Sequence, residues 1–347
     1  MTISATLRRA LLFLLITPIV TLLACTSSEG TQKKSTQPTT DKGVPRMTTY
    51  PIGRFAIDVP AEMKLVHQWQ RLRYAEIEEF AWPGSVPRER ARDEAWKRRL
   101  AEIGKLTPPK GKERVIIETR DFPGLGDWAR GVFYYGNYMM VNEGKWSVLL
   151  DYGNAGVWIE TRSAIIETEN INKMLRNINN IATSYTTRRF GELKPSSGYW
   201  FYTKHGALDL PYLRQETAAA RFEGHPLGLE IDIETTEIHK EEAENHGLIG
   251  RTTAVIVTGY AAGIDIKRIR SRTRVVTGLK GDEEVDRMDD GTRSVLSFAW
   301  RFAGRKDSGE HPKILITMEC ADGHLEEKLQ IWDAVLNSLK PMYGPGR

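Results

Sequence analysis

The chain writes the same opening twice. Gly53-Arg54-Phe55-Ala56-Ile57-Asp58-Val59-Pro60 and His205-Gly206-Ala207-Leu208-Asp209-Leu210-Pro211 are each a short strand carrying an aspartate between apolar neighbours and stopped by proline. Each opening is answered later by a helix with an apolar stripe. In the first half Ile171, Met174, Leu175, Ile178, Ile181 and Ala182 recur at helical spacing, and in the second Leu325, Leu329, Trp332, Val335 and Leu339 do so before Pro341. Two stretches of nearly equal length with matching ends predict a duplicated unit.

Between those ends the strand signals are short and broken by Gly, Pro, Asn and Asp. The first half offers strands at 73–82, 114–119, 128–134, 138–142, 145–151 and 158–161. A helix starts at Ser85 and Pro87, with Ala91, Ala95, Leu100 and Ile103 inward and Trp96 at the margin. In the second half strands are expected at 218–222, 227–235, 266–276, 283–288, 295–303 and 313–319, with a polar helix near 239–246. The expected class is α+β: two similar domains, each a mostly antiparallel sheet backed by helices. The boundaries are residues 50–187 for the N-terminal domain, 188–204 for a linker around Pro195-Ser196-Ser197-Gly198, and 205–343 for the C-terminal domain.

Ahead of the body, Arg8 and Arg9 precede an apolar run from Leu11 to Leu23, closed by Ala24 and Cys25. The run carries Pro18 and is shorter than the roughly 20 residues a bilayer crossing requires. It resembles a bacterial lipoprotein signal, with residues 1–24 removed and Cys25 acylated. Thr26 follows, where inner-membrane retention usually uses aspartate, so the expected location is the periplasm, lipid-anchored to the outer membrane. Residues 25–49 then form a Ser-, Thr-, Lys- and Pro-rich tether, too polar to bury a core.

The net charge of +4 on 347 residues is no nucleic-acid signature. Beyond Cys25 only Cys320 remains, so no internal disulfide forms, and its apolar neighbours Ile314 to Met318 predict a buried thiol. No Gly-x-Ser-x-Gly elbow, phosphate loop or dinucleotide fingerprint occurs, and no catalytic residue, metal or cofactor is assigned. His239, Glu242 and His246 share a helix face, but without a His-Glu-x-x-His pattern this reads as a solvent-facing helix. Asp58 and Asp209 read as groups hydrogen-bonded to their own turns.

One strand stands out. Period-two geometry puts Arg268, Arg270, Arg272 and Arg274 on a single face. Asp282, Glu284 and Asp286 on the next strand can answer them as cross-strand ion pairs, while a slip of one residue separates the rows. If the arginines face outward they form a strip for an acidic protein surface or headgroups. Trp128, Tyr134, Tyr135, Tyr138, Met139, Met140 and Trp146 are dense; most are expected in the core, and any exposed ones are partner anchors.

Taken together the chain resembles the type VI secretion lipase immunity proteins. The resemblance rests on the Gly53–Pro60 opening, Ala218-Ala219-Ala220-Arg221-Phe222-Glu223-Gly224 with Gly228-Leu229-Glu230, the run Arg270 to Glu284, and Phe298-Ala299-Trp300-Arg301-Phe302-Ala303-Gly304. Ile52 stands where such openings often have cysteine. The resemblance implies a claw of two α+β domains that binds a cognate secreted phospholipase effector and blocks its active-site entrance or lid, without turnover. The partner-binding strip Arg268, Arg270, Arg272 and Arg274 is inferred from periodicity alone. On the residues, a structural or cargo-binding envelope lipoprotein and a periplasmic enzyme remain as alternatives.

Overall fold

The structure is a computed structural model that describes residues 46–188, 192–193, 198–240 and 264–342. Cys25, the tether up to residue 45, residues 189–191 and 194–197 of the expected linker, and the polar segment from Glu241 to His246 lie outside the described residues.

The first half runs β1 (Met47–Ile52), β2 (Phe55–Pro60), β3 (Lys64–Leu72), β4 (Ala75–Ala81), α1 (Arg88–Gly104), β5 (Ile116–Asp121), β6 (Trp128–Tyr135), β7 (Gly144–Asp151), β8 (Ala155–Ser163), α2 (Thr168–Ser184) and β9 (Tyr185–Thr187). The second runs β10 (Trp200–Tyr202), β11 (Gly206–Asp209), β12 (Glu216–Glu223), β13 (Glu230–Thr236), β14 (Asp265–Val276), β15 (Leu279–Asp289), β16 (Ser294–Phe302), β17 (Lys313–Ala321), α3 (Leu325–Ser338) and β18 (Lys340–Pro341). Paired strands are antiparallel throughout the central sheet, and the class is α+β.

Each half lays its strands in the same order. The first gives β3-β4-β8-β7-β6-β5 and the second β12-β13-β17-β16-β15-β14, and the two series meet where β3 pairs with β12 in a single 12-stranded sheet. Two similar domains were expected to carry separate sheets, but this sheet does not stop between them. The seam strand β3 was not foreseen, because Lys64, His67, Gln68, Gln70 and Arg71 interrupt any apolar alternation. Gln70 is nevertheless buried, and its side-chain amide donates to Ile77 O at 2.6 Å. The strand expected at 138–142 is instead the loop joining β6 to β7.

The opening hairpins cross over. β2 pairs with β18, just after α3, while β11 pairs with β9, just after α2. The backbone N–H of Asp58 donates to Ser338 Oγ in α3 at 2.7 Å. Each hairpin therefore docks beside the closing helix of the other half. Gly53 makes that approach feasible: its φ is +57°, and a Cβ there would lie 2.8 Å from Ala218 Cβ. The opening aspartates bond across their hairpins and not to their own turns, because their strand partners bring donors within reach. Asp58 accepts from Thr49 Oγ1 at 2.6 Å, and Asp209 accepts from the Tyr199 N–H at 2.8 Å.

One apolar cluster runs through both halves, from Phe133, Trp146 and Ile159 to Phe298, Trp300 and Trp332. A second lies under α1, where Ala95, Trp96 and Ile103 cover Val132, Tyr134, Leu149 and Trp158. Cys320 is a buried free thiol, and burial pushes its pKa up. Among the described residues no helix is long and apolar enough to cross a membrane.

Candidate partner-binding surfaces

β14 borders the sheet among the described strands, and its long antiparallel pairing with β15 carries the arginines. Arg268 stands opposite Asp286, but a bulge between Arg268 and Arg270 shifts the register. Beyond it Ser271 and Thr273 face Glu284 and Asp282, while Arg272 faces Glu283. The expected acidic row therefore meets the arginines only at its start. A β-bulge adds one residue to one strand, which is enough to exchange the faces that two alternating rows present.

Glu283 replaces the lost row. Its Oε1 lies 2.9 Å from Arg270 Nη1 and 3.2 Å from Arg274 Nη1, and its Oε2 lies 2.7 Å from Arg272 Nε. The carboxylate is fully buried and also accepts from Trp332 Nε1 at 3.0 Å. From α3, Asp333 meets Arg270 at 2.9 Å and Arg274 at 2.5 Å, and Asn337 Oδ1 accepts from Arg274 at 2.7 Å. Burial alone would raise the Glu283 carboxyl, but hydrogen bonds from Arg270 and Arg272 and the charge of Arg274 hold it below the usual carboxylate range. For Asp333 the same contest with burial is decided by Arg270 and Arg274. Arg268 approaches Asp286 at 3.4 Å and Glu284 at 3.5 Å. All four arginines thus have acidic neighbours, and Arg272, whose side chain is 50% exposed, presents the most guanidinium to solvent.

A different surface is apolar. The register carries one strand end across the sheet, from Leu72 to Ala75, Ser163, Gly144 and Tyr135 on one side and to Glu216 on the other. At this end lie Tyr74, Leu213, Ile165 and the run Tyr138 to Val141, all exposed, with Tyr138 at 61% and Met139 at 73%. From the dense aromatic segment, Tyr134 and Trp146 are core, whereas Tyr138, Met139 and Met140 are outside it. Their loop is ordered by its own hydrogen bonds. The Met139 N–H donates to Asn137 Oδ1 at 2.9 Å, and the Gly136 N–H closes the loop on Glu143 O at 3.1 Å. Such an ordered loop presents large side chains at low entropic cost, as anchor residues require.

Sequence reasoning overlooked Tyr74 and Leu213 because nothing in a single strand shows that two turns meet. Arg73 and Tyr74 form a tight β3–β4 turn with φ of +51° and +68°, and Arg214 and Gln215 before β12 stand at +43° and +58°. Side chains rarely occupy this region without support. Arg73 is held by its donation to Pro211 O at 2.8 Å and by Asn177, whose amide donates to Arg73 O. Opposite this end, Met47 pairs with Pro60 just before β3 begins, so the chain from Arg46 leaves from the other end of the strands.

Comparison with known proteins gives the following. Residues 203–343 match the family model described as Tle cognate immunity protein 4 C-terminal domain. No curated protein matches the chain. Among solved structures, the apo immunity protein TplEi of the type VI secretion system (T6SS) from Pseudomonas aeruginosa aligns with a TM-score of 0.68 at 15% identity, covering 86% of this chain and 98% of that one. The Tle4–Tli4 complex aligns with a TM-score of 0.68 at 16% identity, with the same coverage of 86% and 98%. TplEi complexed with an "L" peptide gives 0.63 at 16% identity, covering 87% and 99%. At these identities the structural likeness establishes the fold.

Proposed function

The chain carries, over residues 203–343, the C-terminal domain of the Tle cognate immunity protein 4 family, and from that premise we propose that it is an immunity protein. Its partner is a phospholipase effector of a type VI secretion system, which it binds stoichiometrically and holds inactive by covering the active-site entrance or fixing the lid. A solved relative of the same fold is described as part of a Tle4–Tli4 complex, which supports an effector as the partner. The observation that carries the reading on this chain is the ordered apolar strand end around Tyr138, Met139, Tyr74 and Leu213. Exposed large apolar side chains on a fixed frame are binding equipment, and they favour a partner with an apolar mouth.

The mode of action is binding without turnover. The matching strand orders of the two halves support two repeats of one duplicated α+β unit, each offering loops to the effector. The protein acts in the periplasm, held to the outer membrane through acylated Cys25 and the tether that follows it. Anchoring raises the local concentration where a phospholipase must work. Arg272 is the member of the arginine strip best placed to add an electrostatic contact, because half of its side chain is exposed.

The test is inhibition of the phospholipase encoded beside this protein's gene. One equivalent of the chain is expected to abolish hydrolysis of phospholipid vesicles. Unchanged hydrolysis at a molar excess would overturn the proposal, and hydrolysis by the chain alone would reinstate an enzyme.

A further inference from the structure

Where β13 ends, three metal-ligating side chains from separate segments converge. Glu237 and His239 follow β13, and Asp307 lies in the connection from β16 to β17; their candidate ligand atoms all lie within 4.8 Å of one another. The arrangement is fixed by backbone. The Glu237 N–H donates to Glu216 O at 3.0 Å, and the Asp307 N–H donates to Ile238 O at 2.9 Å, with Asp307 in the left-handed region at φ +52°.

Glu237 supplies the second, independent observation. Its side chain is only 3% exposed, yet Oε1 has no hydrogen-bond partner among the described residues, while Oε2 accepts from the Gln215 N–H. A buried carboxylate oxygen without a close hydrogen bond is costly; this one points into the cluster, with His239 at its edge and the Tyr212 hydroxyl interacting with the same carboxylate. His239 Nδ1 lies 3.5 Å from that oxygen and 3.3 Å from Asp307 Oδ1. Ligands about 2.0–2.1 Å from a tetrahedral ion stand roughly 3.3 Å from one another, so both separations suit a shared ion.

We propose that Glu237, His239 and Asp307 bind a divalent transition-metal ion of the Zn2+ or Mn2+ class. Two carboxylates beside one imidazole offer a divalent ion both opposite charge and donor atoms. One nitrogen and two oxygen donors suit a borderline ion better than Ca2+ or Mg2+. Arg214 Nη2 is 4.0 Å from Asp307 Oδ2, which leaves Oδ1 turned toward His239. Gln215 Nε2 lies 2.5 Å from His239 Nε2, on the side of the ring away from the two carboxylates. The ion would tie the end of β13 to the β16–β17 connection. Tyr212 backs the site, its ring lying over Gly309, where a Cβ would come within 2.3 Å of the ring. These partners differ from the His239, Glu242 and His246 set that helical spacing suggests.

The test uses the full chain in detergent, stripped with EDTA and titrated calorimetrically with Zn2+ and, separately, Mn2+. One equivalent of at least one ion is expected to bind and to raise Tm, as a ligand of the native state must. His239→Ala and Asp307→Asn are each expected to weaken binding at least ten-fold while keeping the far-UV circular dichroism of the parent. Should either variant misfold, Co2+ added to the stripped parent decides: intense visible bands of a low-coordinate ion support the site, and the pale spectrum of aquated Co2+ contradicts it. No binding of either ion, or unchanged affinity in both variants, would overturn the proposal.

Discussion

Glu283 of β15 and Asp333 of α3 meet at one guanidinium: Arg270 Nη1 lies 2.9 Å from a carboxylate oxygen of each. The edge strand, its neighbour and the closing helix are therefore tied by charge as well as by packing. Removing the acid at the centre leaves Arg270, Arg272 and Arg274 facing each other without Glu283. Breaking a buried pair from one side typically costs about 3–5 kcal/mol. Glu283→Ala is expected to fall in that range by urea denaturation, whereas Arg272→Ala, at the exposed end, costs about 1 kcal/mol or less.

Acid should release the same network. Glu283 and Asp333 are both held below their ordinary pKa in the folded chain. Their contribution is then complete above the unfolded value of about 4 and is lost as pH falls through the depressed folded values. The stability difference between the parent and Glu283→Gln is expected to be constant from pH 7 to about 5 and to shrink below pH 4, measured by denaturant midpoints at each pH.

Glu319 carries the opposite sign. It stands opposite Glu230 in the β13–β17 pairing, and burial, followed by the charges of Glu230 and Asp232, pushes its pKa up. The resulting destabilisation builds as pH rises from the unfolded value of about 4 and is complete above the raised folded value. Glu319→Gln is expected to stabilise the protein at pH 7 by about 0.2–1 kcal/mol, the scale of a like-charge cross-strand pair. That gain should fade as pH drops through the raised pKa.

Across the seam, Arg54 forks onto Glu216, with Nε to Oε2 at 2.6 Å and Nη2 to Oε1 at 2.5 Å, and also donates to Tyr199 O and Leu210 O. The first opening is thereby locked to the start of β12. Because the sheet and the apolar cluster are continuous through this point, Trp146 and Trp300 are expected to report one common unfolding midpoint. Arg54→Ala should lower that midpoint for both probes together, by a loss of about 3–5 kcal/mol. Two separated midpoints in the parent would show that the halves unfold independently.

Much of this fold was legible because its elements follow local rules. The stripe Met174, Ile178, Ile181 and Ala182 marks α2, and Pro87 sits just before α1, whose Ala91, Ala95, Trp96 and Ile103 turn inward. The seam was not legible, since β3 carries polar residues in the middle of a sheet and its partner β12 lies some 150 residues later in the chain. Arg270, Arg272 and Arg274 share a face as alternation suggests, but the bulge after Arg268 has no signature in alternation; it sends Arg268 to the other face, beside Glu284 and Asp286, and leaves Glu283 to meet the remaining three. Asp333 was beyond reach for another reason: the position of a helix over a sheet edge is a tertiary fact. Glu237 and Asp307 likewise come together only through the connection between β16 and β17.

The proposed neutralisation of a phospholipase runs through the apolar strand end. The most direct measurement is the affinity of the full chain for the phospholipase encoded beside it, taken with the parent and with Met139→Lys. A tight complex is expected, with an affinity that falls at least 30-fold in the variant, the mark of a lost anchor worth about 2 kcal/mol, and with Tm unchanged because Met139 is solvent-exposed. No complex with the parent, or equal affinity for both proteins, would contradict it.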